Sequence, residues 1–286
     1  MTSGMSVEPI RKVALPSGVR VPALGQGTWQ MAERPGRRAH EIAALRLGVE
    51  LGLTLIDTAE MYADGGAEEL VAEVIRGQRE QVFLVSKVLP SHAGYKATIR
   101  ACEASLKRLR TDYIDLYLLH WRGAVPLDET LDAFSELAQD GKIRGWGVSN
   151  LDLADLRELQ DIEGGGDLQT DQVLYNPSRR GIEYDLLPWC EEHSLPIMAY
   201  SPVEQGRLLE HAALREVAER RGATPAQVAL AWVLRKPNVI AIPKASSAAH
   251  VRENHAALTL ALSEIDLVRL DRAFPPPRRA VSLEMI

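Results

Sequence analysis

The stretch DYIDLYLLHW, residues 112–121, contains a run of apolar residues that ends in a histidine and a tryptophan. A second run, VFLVSK at residues 82–87, ends in a lysine, and TLID at residues 54–57 ends in an aspartate. Strands that are apolar on both faces are typical of parallel sheets that helices cover on each side. We therefore interpret these runs as buried parallel strands, each of which ends in a polar side chain.

The same pattern, a short apolar run followed by a stretch with helical spacing, recurs along the whole chain. Eight strands are predicted, at residues 23–25, 54–57, 82–87, 114–120, 145–149, 172–175, 197–200 and 239–243. Between them, Ile99, Cys102 and Leu106 recur at helical spacing, and TPAQ at residues 224–227 combines a threonine cap with a proline in the first turn. Eight such units in 286 residues predict an α/β protein with a (β/α)8 TIM barrel, and an open doubly wound sheet is the alternative.

The segment VALPSGVRV, residues 13–21, alternates around a Pro-Ser-Gly turn ahead of the first barrel strand. This pattern predicts an N-terminal β-hairpin. No long linker or low-complexity tract interrupts the chain, so a single domain over residues 1–286 is expected.

The composition argues against several classes of protein. A content of 46% hydrophobic and 25% charged residues is ordinary for a globular protein, and a net charge of −6 does not favour binding to nucleic acid or to a membrane surface. The chain has two cysteines, no apolar core of a signal peptide and no apolar run long enough for a spanning helix. A cytoplasmic monomer without a nucleic-acid or membrane partner is expected. The histidines lack metal-like spacing, so no metal site is predicted.

Four ionisable side chains lie where a barrel carries its function. Asp57, Lys87 and His120 end predicted strands, and Tyr62 lies in the loop after the first of these. Functional groups of TIM barrels gather at the C-terminal ends of the strands. Because a buried charge without a partner is costly, the four side chains are expected to meet in one cluster. A salt bridge between Asp57 and Lys87 without a catalytic role is the alternative that spacing alone leaves open.

Six segments, taken in order, resemble the aldo-keto reductase superfamily. They are ALGQGTW (23–29), LIDTAEMY (55–62), VSK (85–87), DYIDLYLLHW (112–121), GWGVSN (145–150) and IPK (242–244). The resemblance implies a nicotinamide-dependent carbonyl reductase whose catalytic tetrad is Asp57, Tyr62, Lys87 and His120. In the chemistry that it implies, Tyr62 donates a proton to the carbonyl oxygen and Lys87 lowers the pKa of Tyr62. Asp57 would hold Lys87 in place, and His120 would orient the carbonyl.

The resemblance also implies an extended cofactor site across the top of the barrel. A Rossmann fingerprint is incomplete, because Gly25 and Gly27 form a G-x-G but Gln30 occupies the third glycine position. The implied cofactor-binding residues are Gly27, Thr28, Ser149, Asn150, Gln172, Tyr200, Ser201, Lys244, Ser246, His250, Glu253 and Asn254. Ser149, Asn150 and Gln172 would bind the nicotinamide carboxamide. Tyr200 would stack on the ring, unless it is simply a core aromatic.

Two further features bear on the choice of cofactor and substrate. Lys244 and Ser246 favour NADPH over NADH, since they would bind a ribose 2′-phosphate, but His250 replaces the family's fork-shaped arginine. Trp29 and Trp121 are expected to line the substrate pocket, with core packing as the alternative. The short tail after residue 274 favours an open pocket for a small aldehyde, ketone or dicarbonyl.

Two other functions remain open at this stage. Lys87 could be the nucleophile of a Schiff-base aldolase, although Asp57 beside it would keep the amine charged and poorly nucleophilic. A non-catalytic nucleotide-binding regulatory subunit is the second alternative, which an intact tetrad disfavours.

Overall fold

The computed structural model describes residues 10–286 and begins with a small antiparallel sheet. Strands β1 (Lys12–Ala14) and β2 (Arg20–Pro22) pair in a hairpin. Val13, Leu15 and Val21 of this hairpin belong to the same apolar cluster as residues inside the barrel. The predicted N-terminal hairpin is therefore confirmed, and it closes one end of the barrel.

Eight parallel strands form the barrel itself. They are β3 (Gln26–Gly27), β4 (Leu55–Asp57), β5 (Phe83–Val88), β6 (Leu116–Leu119), β7 (Trp146–Ser149), β8 (Asp171–Leu174), β9 (Ile197–Tyr200) and β10 (Val239–Ala241). Each strand pairs with the next in chain order, and parallel bridges Leu24–Ala241 and Gly27–Lys244 join the first strand to the last. This closure confirms the (β/α)8 TIM barrel and rules out the open sheet. The first strand lies at 26–27 rather than at the predicted 23–25. Leu24 makes only an isolated bridge to Ala241, whereas Gln26 and Gly27 pair with β4.

Ten α-helices surround the strands in the part of the chain that the structure describes. They are α1 (Arg38–Glu50), α2 (Gly66–Ile75), α3 (Tyr95–Leu109), α4 (Leu127–Gln139), α5 (Leu153–Gln160), α6 (Leu186–Glu192), α7 (Ala212–Arg221), α8 (Pro225–Leu234), α9 (Ala248–Ala256) and α10 (Glu264–Ala273). The predicted helix start at Thr224 is a capping box with Gln227. Single helices follow β3 to β8, whereas pairs of helices follow β9 and β10.

The interior of the barrel is apolar at the hairpin end and polar at the opposite end. The apolar layer includes Leu55, Val85, Leu116, Leu118, Met198, Ile240 and Ile242. Side chains alternate along a strand, so the residue two positions after an inward one also points inward. By this rule Asp57, Lys87 and His120 also point inward, because they lie two positions after Leu55, Val85 and Leu118. The polar groups therefore collect at the C-terminal mouth, directly above the apolar layer.

Gly147 lies in β7 at a position where a side chain has no room. A Cβ atom there would lie 2.8 Å from the Thr170 carbonyl oxygen and 2.7 Å from Leu118 Cδ2. Replacing Gly147 with alanine is expected to lower the free energy of unfolding by about 1–3 kcal/mol, the usual cost of overpacking. Gly166→Ala is the matched control, because nothing lies within 4 Å of the added atom. Urea unfolding measures both variants, and equal stabilities would contradict the packing argument.

Candidate active site

Lys87 is fully buried at the centre of the polar layer. Its ammonium group donates hydrogen bonds to Asp57 Oδ2 at 2.8 Å, to the Thr58 carbonyl oxygen at 2.9 Å and to Tyr62 Oη at 3.2 Å. Asp57 Oδ1 also accepts a hydrogen bond from Gln172 Nε2 at 2.8 Å. Every ammonium hydrogen of Lys87 thus has an acceptor, which compensates for the removal of its charge from water.

Tyr62 and His120 connect this buried cluster with a cavity. Their rings meet edge to face with centroids 5.8 Å apart, and the His120 ring lies 4.9 Å from the Trp121 ring. Both side chains line the cavity, as do Trp29 and Trp121. Among the described residues, His120 Nδ1 is buried without a hydrogen-bond partner. The structure therefore brings the four predicted tetrad residues together, with Tyr62 and His120 facing the space a substrate could enter.

Burial controls the protonation of the two groups that face the cavity. Removal from water, and then the negative charge of Asp57, raise the pKa of Tyr62 well above its usual value. The lowering of this pKa that was expected from Lys87 does not set the net shift, because the cost of burying a phenolate dominates. Burial, and then the charge of Lys87, lower the pKa of His120 to about 2. At neutral pH, Tyr62 is a protonated phenol and His120 is a neutral imidazole.

Burial also lowers the pKa of Lys87, but the Asp57 carboxylate opposes this shift by its charge and its hydrogen bond. An ammonium ion held by a carboxylate at 2.8 Å is a stabiliser of nearby negative charge. It is a poor nucleophile, since its nitrogen has no free lone pair.

One cavity of about 660 Å³ extends from the tetrad to α9. It is lined by most of the residues expected from the sequence, namely Gly27, Trp29, Asp57, Tyr62, His120, Trp121, Ser149, Asn150, Gln172, Tyr200, Ser201, Lys244, His250, Glu253 and Asn254. Thr28, Lys87 and Ser246 are not part of this lining. Thr28 is buried, and its hydroxyl donates to the Asp57 carbonyl oxygen at 3.0 Å. Its position supports the strand that carries Asp57.

A polar platform lies beside the tetrad at the ends of β7, β8 and β9. Tyr200 donates its hydroxyl hydrogen to Asn150 Oδ1 at 2.9 Å, and Asn150 Nδ2 donates to the His120 carbonyl oxygen at 3.2 Å. Ser149 Oγ donates to the Gln172 carbonyl oxygen at 2.8 Å. Asn150 has a φ of 57°, in the left-handed region that asparagine tolerates better than most residues. These bonds hold amide, hydroxyl and aromatic groups in fixed positions against the cavity.

The far end of the cavity contains exposed groups around the start of α9. Lys244 follows β10 and is exposed, and Ser247 caps the helix by accepting a hydrogen bond from the His250 amide. Glu253 and the buried Asn254 complete this end. The cavity thus has amides at one end, an aromatic ring beside them and a cation at the other end. This donor set fits an extended dinucleotide, whose carboxamide, flat ring and phosphate require these three kinds of group.

Sequence reasoning missed the loop after β9. Ser201, Glu204 and Gln205 have φ values of 47°, 51° and 54°, and Gly206 has a φ of 89°. Left-handed backbone costs a residue with a side chain on the order of 1–2 kcal/mol. Non-glycine residues adopt it only where surrounding contacts enforce it, and such strain is common at functional sites. Of these positions, only Gly206 carries a sequence signal for the turn.

The short C-terminal tail, which is expected to leave the pocket open, contributes to the lining of the cavity. Although the tail is short, Met285 and Ile286 line the cavity, with 57% and 46% of their surfaces exposed. Met61, which is 40% exposed, is a further apolar group at the cavity that was not singled out. The lining of the cavity therefore includes Met61, Met285 and Ile286.

Two other kinds of feature are absent from residues 10–286. No group of three or more histidine, cysteine, aspartate or glutamate side chains in this range could hold a metal ion. None of its helices combines the length and the apolar character needed to cross a membrane.

Comparison with known proteins decides the family. A sequence profile of the Aldo/keto reductase family matches residues 23–274. The chain belongs to the aldo/keto reductase family. This aldo/keto reductase is 55% identical over 273 residues to the protein named methylglyoxal reductase YeaE of Escherichia coli, covering 94% of this chain and 96% of that protein. It is 34% identical over 260 residues to the glyoxal reductase of Bacillus subtilis, covering 91% of each.

Solved structures of other aldo/keto reductases have the same fold. An aldo/keto reductase from Klebsiella pneumoniae, crystallised with NADP and acetate, superimposes with a TM-score of 0.95 at 55% sequence identity. The alignment covers 97% of this chain and all of that chain. A thermostable aldo-keto reductase, Tm1743, crystallised with the inhibitor epalrestat, has a TM-score of 0.86 at 41% identity and covers 92% of this chain.

The depressed pKa of His120 predicts how the stability of this aldo/keto reductase depends on pH. The unfolded chain binds a proton at this residue below its ordinary pKa of about 6.5, whereas the folded chain stays neutral down to about pH 2. Stability contributed by neutral His120 is thus complete above pH 6.5 and falls as the pH decreases. Between pH 6 and pH 5, the wild type should lose about 1 kcal/mol more than His120→Gln. Chemical denaturation at both pH values measures this, and parallel losses would contradict a buried neutral imidazole.

Proposed function

We propose that this aldo/keto reductase reduces small aldehydes, ketones or dicarbonyls to alcohols, with NADPH as hydride donor and Tyr62 as proton donor. The observation that carries the proposal is the position of Tyr62 Oη, on the cavity wall and 3.2 Å from the buried Lys87 ammonium. Reduction of a carbonyl requires a hydride at carbon and a proton at oxygen. NADPH supplies the hydride when bound.

The tetrad residues have separate roles in this proposal. Tyr62 is protonated at neutral pH, so it can give its proton to the carbonyl oxygen as negative charge develops there. Lys87 stabilises the resulting phenolate, and Asp57 holds Lys87 while keeping the buried pair neutral overall. His120 is neutral and orients the carbonyl oxygen by donating one ring N–H. Because its pKa is raised, Tyr62 is in the protonated form that reduction requires, whereas oxidation would begin from the phenolate.

The remaining lining residues are proposed to hold NADPH. Ser149, Asn150 and Gln172 would bind the carboxamide, and the ring of Tyr200 would stack on the nicotinamide. Ser201 and Gly27 would lie along the pyrophosphate, with Thr28 acting indirectly through the strand of Asp57. Lys244, Ser246 and His250 would face the ribose phosphate, while Glu253 and Asn254 would hold the adenine. The related Klebsiella pneumoniae structures, which contain NADP or NADPH, support this assignment.

Small dicarbonyls are the substrate class favoured here. The E. coli and B. subtilis relatives are named for methylglyoxal and glyoxal. Trp29 and Trp121 are apolar parts of the cavity that Tyr62 and His120 also line, and a small carbonyl can bind against such groups without a charged partner. Methylglyoxal and glyoxal, compared with aliphatic and aromatic aldehydes in assays with NADPH and with NADH, provide the direct test.

The aldolase alternative loses support from the position of Lys87. A Schiff-base lysine needs a free amine that reaches the substrate. Lys87 is fully buried, lies behind Asp57 and Tyr62, and is paired with a carboxylate. The regulatory alternative is disfavoured because all four tetrad groups are in contact. A cytoplasmic, monomeric state and a single domain over residues 1–286 stay predictions, and residues 1–9 lie outside the described part.

Tyr62→Phe removes the proposed proton donor and keeps the ring. We expect kcat for methylglyoxal reduction to fall by about 100-fold or more, as is typical for loss of a general acid. The NADPH dissociation constant, measured by fluorescence titration, should stay within about twofold of the wild-type value, which is a small change in binding free energy. Tyr113→Phe is the matched control, because Tyr113 packs between Arg79 and Arg144 at the other end of the barrel. Normal turnover by Tyr62→Phe would disprove its role as acid.

Lys244→Ala removes the cation proposed to bind the 2′-phosphate. The dissociation constant of NADPH should rise about tenfold, the scale of one lost charge-assisted hydrogen bond, while that of NADH changes little. Lys96→Ala, which removes an exposed lysine of α3 outside the cavity lining, should change neither. Equal weakening of both cofactors by Lys244→Ala would remove the 2′-phosphate assignment.

A further inference from the structure

The C-terminal tail is held against the barrel by three consecutive residues. Arg180 Nη1 donates to the Phe274 carbonyl oxygen at 2.6 Å, where the tail begins. A Cβ at Gly181 would lie 2.8 Å from Val281 Cγ2, so the glycine lets the tail approach closely. Arg179 Nη1 donates to Glu284 Oε1 at 2.6 Å. The next two residues after Glu284 are the ones that line the cavity.

The other side of the same Arg179 guanidinium contacts the loop after β9. Its Nε and Nη2 lie 3.1 Å and 3.0 Å from Glu204 Oε1. Glu204 is 3% exposed, and Asn176 Nδ2 also donates to it at 2.7 Å. Asn176 Nδ2 reaches the Ser201 carbonyl oxygen at 3.0 Å as well. Glu204 is therefore the buried anchor of a left-handed loop that forms one wall of the cavity.

We infer that Arg179 is a positioning residue that couples the cofactor side of the cavity to the substrate side. The inference rests on the proposed function, in which Ser201 lies along the pyrophosphate of the cofactor, and it adds that Met285 and Ile286 of the same cavity lining meet the carbonyl substrate. Arg179 contacts neither ligand. Its planar guanidinium joins the anchor of the loop to the last ion pair of the tail, which a lysine could not do with the same geometry.

The coupling has a simple physical basis. The loop conformation is strained and depends on the contacts of Glu204. In the tail, Leu283 packs against the core and Glu284 pairs with Arg179, while Met285 and Ile286 are exposed. A cofactor that packs on the loop stabilises the Glu204–Arg179 contact and thereby orients the guanidinium toward Glu284. By linkage, fixing the tail makes the loop easier to hold in its bound form. Cofactor binding thus completes the wall against which the substrate packs.

Two substitutions separate the two sides. Arg179→Met removes both contacts, so we expect the NADPH dissociation constant and the KM for methylglyoxal each to rise about threefold or more, as for loss of a partly buried ion pair. Glu284→Gln removes the charge from the tail contact alone and leaves the Glu204 contact intact, so KM should rise while NADPH affinity stays within about twofold. In the double variant, Glu284→Gln should add nothing to Arg179→Met, because the shared contact is already lost. Neither Arg179→Met nor Glu284→Gln should lower kcat by as large a factor as it raises KM, since the tetrad is untouched.

Arg38→Met is a matched control for the loss of an ion pair of this type. Arg38 and Glu73 lie 2.7 Å apart, with 34% and 39% of their side chains exposed. The corresponding values for Arg179 and Glu284 are 2.6 Å, 35% and 42%. Neither Arg38 nor Glu73 lines the cavity. This control should leave NADPH affinity and KM unchanged.

A second readout does not depend on turnover. Carboxypeptidase Y removes Ile286 and Met285 only when the tail leaves the barrel, and intact mass follows the reaction. Saturating NADPH should slow this trimming in the wild type and in Arg38→Met, but not in Arg179→Met or Glu284→Gln. If NADPH protects the tail equally in all four proteins, or if Arg179→Met matches Arg38→Met in affinity and KM, the coupling is disproved. Failure of the proposed reaction alone would appear as absent turnover with NADPH-dependent protection of the tail retained.

Discussion

The buried pair of Lys87 and Asp57 is the constraint to which the rest of the site is fitted. An ammonium ion inside a barrel loses its hydration, and the effective penalty is several kcal/mol unless acceptors replace the water. Three acceptors lie within 3.2 Å of Lys87, and all come from the segment that begins with Asp57. The strand register brings Lys87 to Asp57, because Asp57 is paired with Val85 and Lys87 lies two residues farther along β5. Tyr62 is then held in place by the one ammonium hydrogen that Asp57 and Thr58 leave free.

The low polarity of the barrel interior makes burial of the Lys87–Asp57 pair costly, and it also keeps Tyr62 protonated. An apolar layer fills the barrel beneath the tetrad, so a phenolate at Tyr62 would be poorly solvated until the proton has a destination. The phenol consequently keeps its proton in the resting protein, which suits an acid that acts only when a carbonyl oxygen becomes negative. Lys87 then matters more after the proton leaves than before. This order reconciles a raised pKa with a role in proton donation.

The sequence was sufficient to predict the elements that depend on local pattern and on barrel geometry. Asp57, Lys87 and His120 each end an apolar strand, so their meeting could be foreseen once the strands were taken as parallel and closed. The left-handed backbone at Ser201, Glu204 and Gln205 could not be foreseen, because these residue types do not favour a positive φ and adopt it only under tertiary contacts. The contact between Arg179 and Glu284 spans 105 residues and leaves no periodic signal. The net upward shift of the Tyr62 pKa could not be foreseen for a related reason, since burial depends on the whole barrel and not on the neighbouring lysine alone.

Two ion pairs that differ in burial support different parts of the cavity. The Lys87–Asp57 pair has side-chain exposures of 0% and 3%, so it is little affected by salt and fixes the reacting groups rigidly. The Arg179–Glu284 pair has exposures of 35% and 42%, so water and ions weaken it and the tail that it holds can shift. The chemistry common to carbonyl reduction therefore rests on the inflexible pair. The C-terminal wall of the cavity rests on the adjustable pair, so in the proposed function this wall is the part that can adapt to the shape of the carbonyl substrate.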